Sequence, residues 1–181
     1  MNQRCKWVNL ENKNYVDYHD TEWGVPTHDD QRLFEMLILE SFQAGLSWEC
    51  ILNKRESFRV AFDYFDLNKI INYDENKIQE LLSNEKIVRN KLKVNATISN
   101  AKIFKMMQEE FGSFSNYLWG FADQKITYEF DKTTSELSDN ISNDLKKRGM
   151  KFVGSTIIYS YLQACGIINS HETDCDLYQK Q

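Results

Sequence analysis

An all-α fold, a compact two-lobed array of short helices, is what this sequence predicts, on three observations. The 181 residues include only seven Gly and one Pro, so long stretches run without a helix breaker. Asp, Ser and Asn residues suited to capping stand ahead of segments with apolar residues at helical spacing. Strand-like alternation occurs once, at Ile126, Tyr128 and Phe130, and with no partner run in view it is expected to be a structured loop.

Taken in order, Asp29 or Asp30 caps a helix from Arg32 to Ala44 that is apolar on nearly every side, which makes it the central element. Gly45 breaks it, and helices are expected over Ser47 to Arg55 and Ser57 to Tyr64. Asp66 and Asp74 cap two short helices carrying Leu67, Ile70 and Ile71, then Ile78, Leu81 and Leu82. The stretch from Lys91 to Phe111 has no Gly or Pro and reads as one long helix. Ser113 or Ser115 starts another, Ser138 or Asn140 starts one that ends at Gly149, and Thr156 to Cys165 is stopped by Gly166.

With 41% hydrophobic and 13% aromatic residues the chain can bury a sizeable core. No apolar run is long enough to span a membrane and the start does not resemble a signal peptide, so the expected location is cytoplasmic. A net charge of −5 argues against gripping nucleic acid by bulk electrostatics. Any such contact must be local, and two basic clusters are candidates: Lys86, Arg89, Lys91 and Lys93, then Lys146, Lys147, Arg148 and Lys151. Each is also an ordinary solvated helix end.

Cys5 and His19 near the start face His171 and Cys175 at the end. Thiolate and imidazole in equal number form a common tetrahedral zinc set, and the spacing of His171 and Cys175 would put both on one face of a helical turn. A surface histidine with buried thiols is the alternative. Cys50 and Cys165 sit in apolar stretches and read as packing residues; His28, in a turn after Pro26, reads as solvated.

Glu40 is out of place, because it occupies a position in the stripe of Leu33, Met36, Leu37 and Ala44 where an apolar residue belongs. Either it pairs with an arginine such as Arg55 or Arg59, or it waits for a cationic or donor-rich ligand. Trp7, Tyr15, Tyr18, Trp23 and Trp48 gather in the same part of the chain, over two loops and a helix start. Rings so placed either stack on planar bases or anchor the N-terminal segment.

The strings YHDTEWGVP (18–26), LESFQAGLSW (39–48) and KRGMKFVGST (147–156), followed by QACG and NSHETDC, closely resemble the type I 3-methyladenine-DNA glycosylases, from RCKW to Cys175. The resemblance implies a fold of the helix-hairpin-helix glycosylase type, one domain over 1–181, with a helical core at about 29–165 and a zinc region formed by 1–28 and 166–181. It implies Cys5, His19, His171 and Cys175 as ligands of one structural Zn2+, and a base pocket of Glu40, Tyr18, Trp48, Tyr15, Trp7 and Trp23. It places the hairpin at about Leu81 to Ala96, without the glycine pair of many superfamily members and with Lys86, Arg89 and Lys91 near the DNA. Leu46, after the helix break at Gly45, is the candidate plug that fills the duplex after base flipping, with Gly45 beside the DNA. The implied activity is monofunctional excision of 3-methyladenine from double-stranded DNA by a monomer with no obligatory protein partner. The rivals are a zinc-stapled adaptor without chemistry, which leaves Glu40 without a task, and a metal-dependent hydrolase, which needs an open zinc position.

Overall fold

The computed structural model describes residues 3–178, so the outermost residues of the two expected terminal regions, 1–2 and 179–181, lie outside the described residues. The structure is helical nearly throughout, in the order α1 (Lys13–Thr21), α2 (Asp30–Gln43), α3 (Trp48–Asn53), α4 (Arg55–Ala61), α5 (Leu67–Ile70), α6 (Glu75–Ser83), α7 (Lys91–Phe111), α8 (Phe114–Gly120), α9 (Glu136–Lys147) and α10 (Ser155–Ala164). Among the described residues no helix is long and apolar enough to cross a membrane.

Helix α2 is the axis of the molecule. Every residue from Leu33 to Phe42 is buried, as an apolar surface on all sides requires. Its neighbours are fixed by specific contacts: Phe34 meets Phe104 of α7 at 5.0 Å between ring centroids, and Phe42 meets Phe58 of α4 at 4.8 Å. The Tyr161 hydroxyl of α10 donates to the Leu33 carbonyl at 3.0 Å. Asp29 caps α2, and the first residue of the helix reaches another: the Asp30 carboxylate accepts from the backbone N–H groups of Phe114 and Ser115 and so helps Ser113 to cap α8.

Several expectations need correction. Helix α1 was expected as loop, and Tyr15 and Tyr18 lie on it. Its sequence, KNYVDYHDT, carries little apolar periodicity, and it is held by an Asn12 cap and by the burial of Tyr18 and His19 on one side. The segment around Tyr128 is not a free loop. Thr127–Tyr128 (β1) pairs in parallel with Ile168–Asn169 (β2), a partner supplied some forty residues later. Helix α9 begins earlier than Ser138, because Ser135 and Ser138 form a reciprocal capping box at its start. His28 is not simply solvated: its Nδ1 lies 3.0 Å from the Ser115 hydroxyl and its ring stacks on Trp119.

Candidate active site and metal centre

Glu40 lies in the last full turn of α2 and is 3% exposed. Its Oε2 has no hydrogen-bond partner among the described residues, and burial pushes its carboxyl up to about 8. It lines a cavity of about 320 Å³ together with Trp7, Tyr15, Tyr18, Trp23 and Trp48. All six side chains expected at the pocket are therefore brought together. Tyr15 and Tyr18 come from one side of α1, Trp48 opens α3 behind its Ser47 cap, and Glu40 forms part of the wall from α2. The Trp48 indole nitrogen is a second buried polar atom on this wall without a partner among the described residues. The Tyr18 and Trp48 rings touch one another, 5.3 Å apart and tilted by 52°.

The arginines that might have neutralised Glu40 are engaged elsewhere. Arg55 donates to Glu35 at 2.7 Å and to Glu22 at 2.8 Å, and Arg59 donates to Glu35 at 2.8 Å. Burial disfavours the Arg55 cation, yet Glu35 and Glu22 more than offset that and raise its pKa. Neither carboxylate had a place in the sequence reading, although together they decide that Glu40 stands alone.

On the other side of the aromatic cluster, Cys5, His19, His171 and Cys175 are all buried, with their donor atoms within 4.8 Å of one another. The Cys175 sulfur lies 3.6 Å from His19 Nε2 and 3.6 Å from His171 Nδ1, and the Cys5 sulfur lies 3.6 Å from His171 Nδ1. Each ring is oriented by its other nitrogen: His19 Nδ1 meets Asp20 at 2.8 Å, and His171 Nε2 meets the Trp23 carbonyl at 3.3 Å. Arg4 holds Asp20 through Nε and Nη2. Backbone N–H groups of Glu172 and Leu177 point at the Cys5 and Cys175 sulfurs. His171 and Cys175 share a non-helical turn, closed by the Cys175 N–H on the Glu172 carbonyl, rather than the helical turn expected from their spacing. Gly24, with φ at +74°, lets His171 approach, since a Cβ there would lie 3.0 Å from Nε2. Without a cation, burial pushes the Cys5 thiol up to about 12 and His171 down to about 4, so the four side chains suit a metal that takes up thiolate charge.

Residues 7–179 match the methyladenine glycosylase family. This chain belongs to that family. It is 41% identical to DNA-3-methyladenine glycosylase 1 of Escherichia coli K12 over 182 residues, 97% of each chain. It also superposes on a crystal structure of 3-methyladenine DNA glycosylase I with a TM-score of 0.94 and 43% identity, covering 98% of this chain and 100% of that one. A variant of 3-methyladenine DNA glycosylase I in complex with 3-methyladenine gives a TM-score of 0.93 at 32% identity, covering 98% of each chain.

In this family member the residues expected near DNA lie on two turns. Gly45, with φ at +83°, and Leu46, 42% exposed, form the α2–α3 turn. Lys86, Arg89 and Lys91 are exposed on the α6–α7 hairpin, where Arg89 lies 3.5 Å from Glu85. Two other basic residues are not available for such contacts. Lys93 is buried and bonded to the end of α2, and Arg148 is paired with Glu110 and Asp144 while stacking on Phe111. The cavity wall also contains Gln43, Phe130, Asp131, Ser160, Gln163 and Glu172, which the sequence reading missed. Ser160 and Gln163, three residues apart in apolar α10, were a visible signal. Phe130 and Asp131 arrive through the β1–β2 pairing and had none.

Proposed function

We propose that this protein removes 3-methyladenine from alkylated DNA by hydrolysing its N-glycosidic bond, with Glu40 as the group that recognises and orients the damaged base. The single observation that carries this reading is a buried carboxylate with an oxygen unpartnered among the described residues, in a cavity lined by aromatic rings. An adenine alkylated at ring nitrogen 3 is a planar cation, and its amino edge donates hydrogen bonds. It supplies what Glu40 lacks. As the cation enters, Glu40 gives up its proton to solvent and the pair becomes a charge-assisted hydrogen bond.

The target must be rotated out of the duplex to reach such a cavity. Leu46, exposed on the turn that follows α2, is placed to fill the gap. A planar base fits between two rings only when they are about 7 Å apart. Tyr18 and Trp48, now 5.3 Å apart, must therefore part to admit it, and the unpaired Trp48 indole N–H becomes a donor on the cavity wall. Tyr15, Trp7 and Trp23 complete the enclosure and exclude water from the base.

When the glycosidic C–N bond breaks, its electron pair returns to the purine, which leaves neutral. Water adds to the sugar carbon and releases a proton. The leaving group needs no protonation, and the reading assigns no general acid and no lysine Schiff base. Positive charge moves from base to sugar in this step, so a carboxylate that faces only the base stabilises the reactant at least as much as the transition state. Glu40 accordingly discriminates and orients.

The metal in this reading is one zinc per chain. A zinc tetrahedron with bonds of about 2.3 Å to sulfur and about 2.0–2.1 Å to nitrogen has S···N edges of about 3.6 Å, and three such separations here are 3.6 Å. Cys5, His19, His171 and Cys175 would fill the four positions of a tetrahedral zinc and leave none for water, so the ion would hold the two ends of the chain together without supplying a hydrolytic site. The same staple supports treating 1–181 as one domain. In this reading the protein acts as a monomer on duplex DNA, with Gly45, Lys86, Arg89 and Lys91 beside the strand.

The test is incubation with methylated DNA and chromatography of the released bases, expected to yield free 3-methyladenine. A Glu40→Gln variant read by single-turnover kinetics and free-base affinity then tests the role of Glu40. A large rate loss with unchanged base affinity would refute recognition as its main task.

A further inference from the structure

Lys93 stands at the third position of α7, on the hairpin whose other basic side chains face solvent. A cation near its own helix N-terminus is unfavourably placed there. Lys93 instead turns inward, 7% exposed, and its ammonium donates to the Phe42 carbonyl at 2.8 Å and to the Ala44 carbonyl at 2.6 Å. These are the last exits of α2, where a positive charge complements the helix end. The face of the Phe152 ring lies 5.9 Å from the same nitrogen. Immediately beyond Ala44 come Gly45 and Leu46, held tight by the Leu46 N–H on the Gln43 carbonyl. One side chain thus joins the start of the hairpin helix to the turn that carries Leu46, through backbone atoms that cannot shift independently of that turn.

We propose that Lys93 is a positioning residue that ties the α6–α7 hairpin to the Gly45–Leu46 turn, so that seating of the hairpin on the DNA backbone sets how far Leu46 enters the duplex. The proposal rests on the glycosylase reading above. It assigns Lys93 no contact with base or sugar: Lys93 acts through the carbonyls of Phe42 and Ala44. Glu40 shares the last full turn of α2 with Phe42, but Lys93 bonds only the backbone carbonyls of Phe42 and Ala44, so base binding and strand insertion are expected to be separable.

The experiment uses the full-length protein with Lys93→Met and Lys93→Arg. A duplex containing a stable abasic analogue beside 2-aminopurine reports insertion as a rise in fluorescence, without any excision. Tryptophan fluorescence titrated with free 3-methyladenine reports the pocket. Lys93→Met is expected to bind the free base as the parent does, to lose the 2-aminopurine rise, and to release 3-methyladenine from duplex DNA about 10- to 100-fold more slowly in single turnover. Lys93→Arg, which keeps a cation with several donors, is expected to restore most of both. An unchanged rise, or a loss of free-base affinity that parallels the loss of excision, overturns the proposal. Should Lys93→Met not fold, Lys93→Gln, which keeps a donor for one carbonyl, is read in its place, with a smaller loss of the 2-aminopurine rise and of excision expected and the same overturning results. A parent chain that released no 3-methyladenine would remove the glycosylase reading, while the 2-aminopurine comparison would still decide the role of Lys93.

Discussion

Oε2 of Glu40 and the indole nitrogen of Trp48 are both buried on the wall of one cavity, and neither has a hydrogen-bond partner among the described residues. An acceptor and a donor left idle in the same enclosure are costly to the free fold, by about 1–3 kcal/mol for each group. Ligands that satisfy both recover that cost on binding. Preference for a planar base with a donating edge and a positive ring follows from these two atoms and the rings around them.

The carboxyl of Glu40 makes a stability prediction with a definite sign. Its folded value of about 8 lies above its ordinary 4.5, so between those values the native state keeps a proton that the unfolded chain has lost. The stabilising contribution is full below about 4.5 and is lost as pH rises to about 8. Glu40→Gln does not titrate. Its stability relative to the parent should therefore increase by roughly 3–5 kcal/mol between pH 4 and pH 9, measured by urea denaturation at both. Equal differences at the two pH values would remove the burial argument.

The same group shapes the pH profile of excision. A cationic lesion needs ionised Glu40, so kcat/KM should rise about tenfold per pH unit below pH 8 and level off above it. A profile flat from pH 6 to 9 would show that the neutral acid serves as well.

Removing the metal should disturb the pocket as well as the termini. The Trp23 ring lies 4.7 Å from the His171 ring and 4.8 Å from Trp7, so the ligand rings and the cavity share a wall. Chelation under mild denaturant is expected to release one zinc per chain, to lower stability by several kcal/mol, and to weaken free-base binding in step. Base affinity that survives complete zinc loss would contradict the shared wall.

Arg55→Met should be severe. It leaves Glu35 with Arg59 alone and removes the bridge to Glu22 at the end of α1. A loss of about 3–5 kcal/mol is expected, read as the thermal or urea midpoint. A loss under about 1 kcal/mol would place the pair among ordinary surface contacts.

Leu46→Ala should do the reverse. The side chain is 42% exposed, so folding stability should change by about 0.5 kcal/mol or less, while excision from duplex DNA slows and free-base affinity holds. Unchanged duplex kinetics would rule Leu46 out as the plug.

Much of this site was legible in the chain because its signals are local or chemical. Glu40 stood out as a carboxylate inside an apolar stripe, and the structure buries it. The four soft donors at the two ends were conspicuous for their type, and they converge. Helix α7 begins and ends where its unbroken run does, at Lys91 and Phe111, since a long segment with a cap and a terminal glycine carries its own boundaries.

Local residue order settled the helical class, the central place of α2 and the break at Gly45, and it singled out the side chains that meet at the cavity and the four-donor cluster. Tertiary structure alone settled which arginines those groups meet. Arg55 and Arg59 were equally plausible partners for Glu40, and only three-dimensional packing hands them to Glu22 and Glu35. It also folded α1, brought Ile168 beside Thr127 to build the far cavity wall, and turned Lys93 inward. The physical reason is common to all four: periodicity and capping act within a few residues, whereas ion pairs, strand pairing and the capping of one helix by another depend on contacts between distant segments.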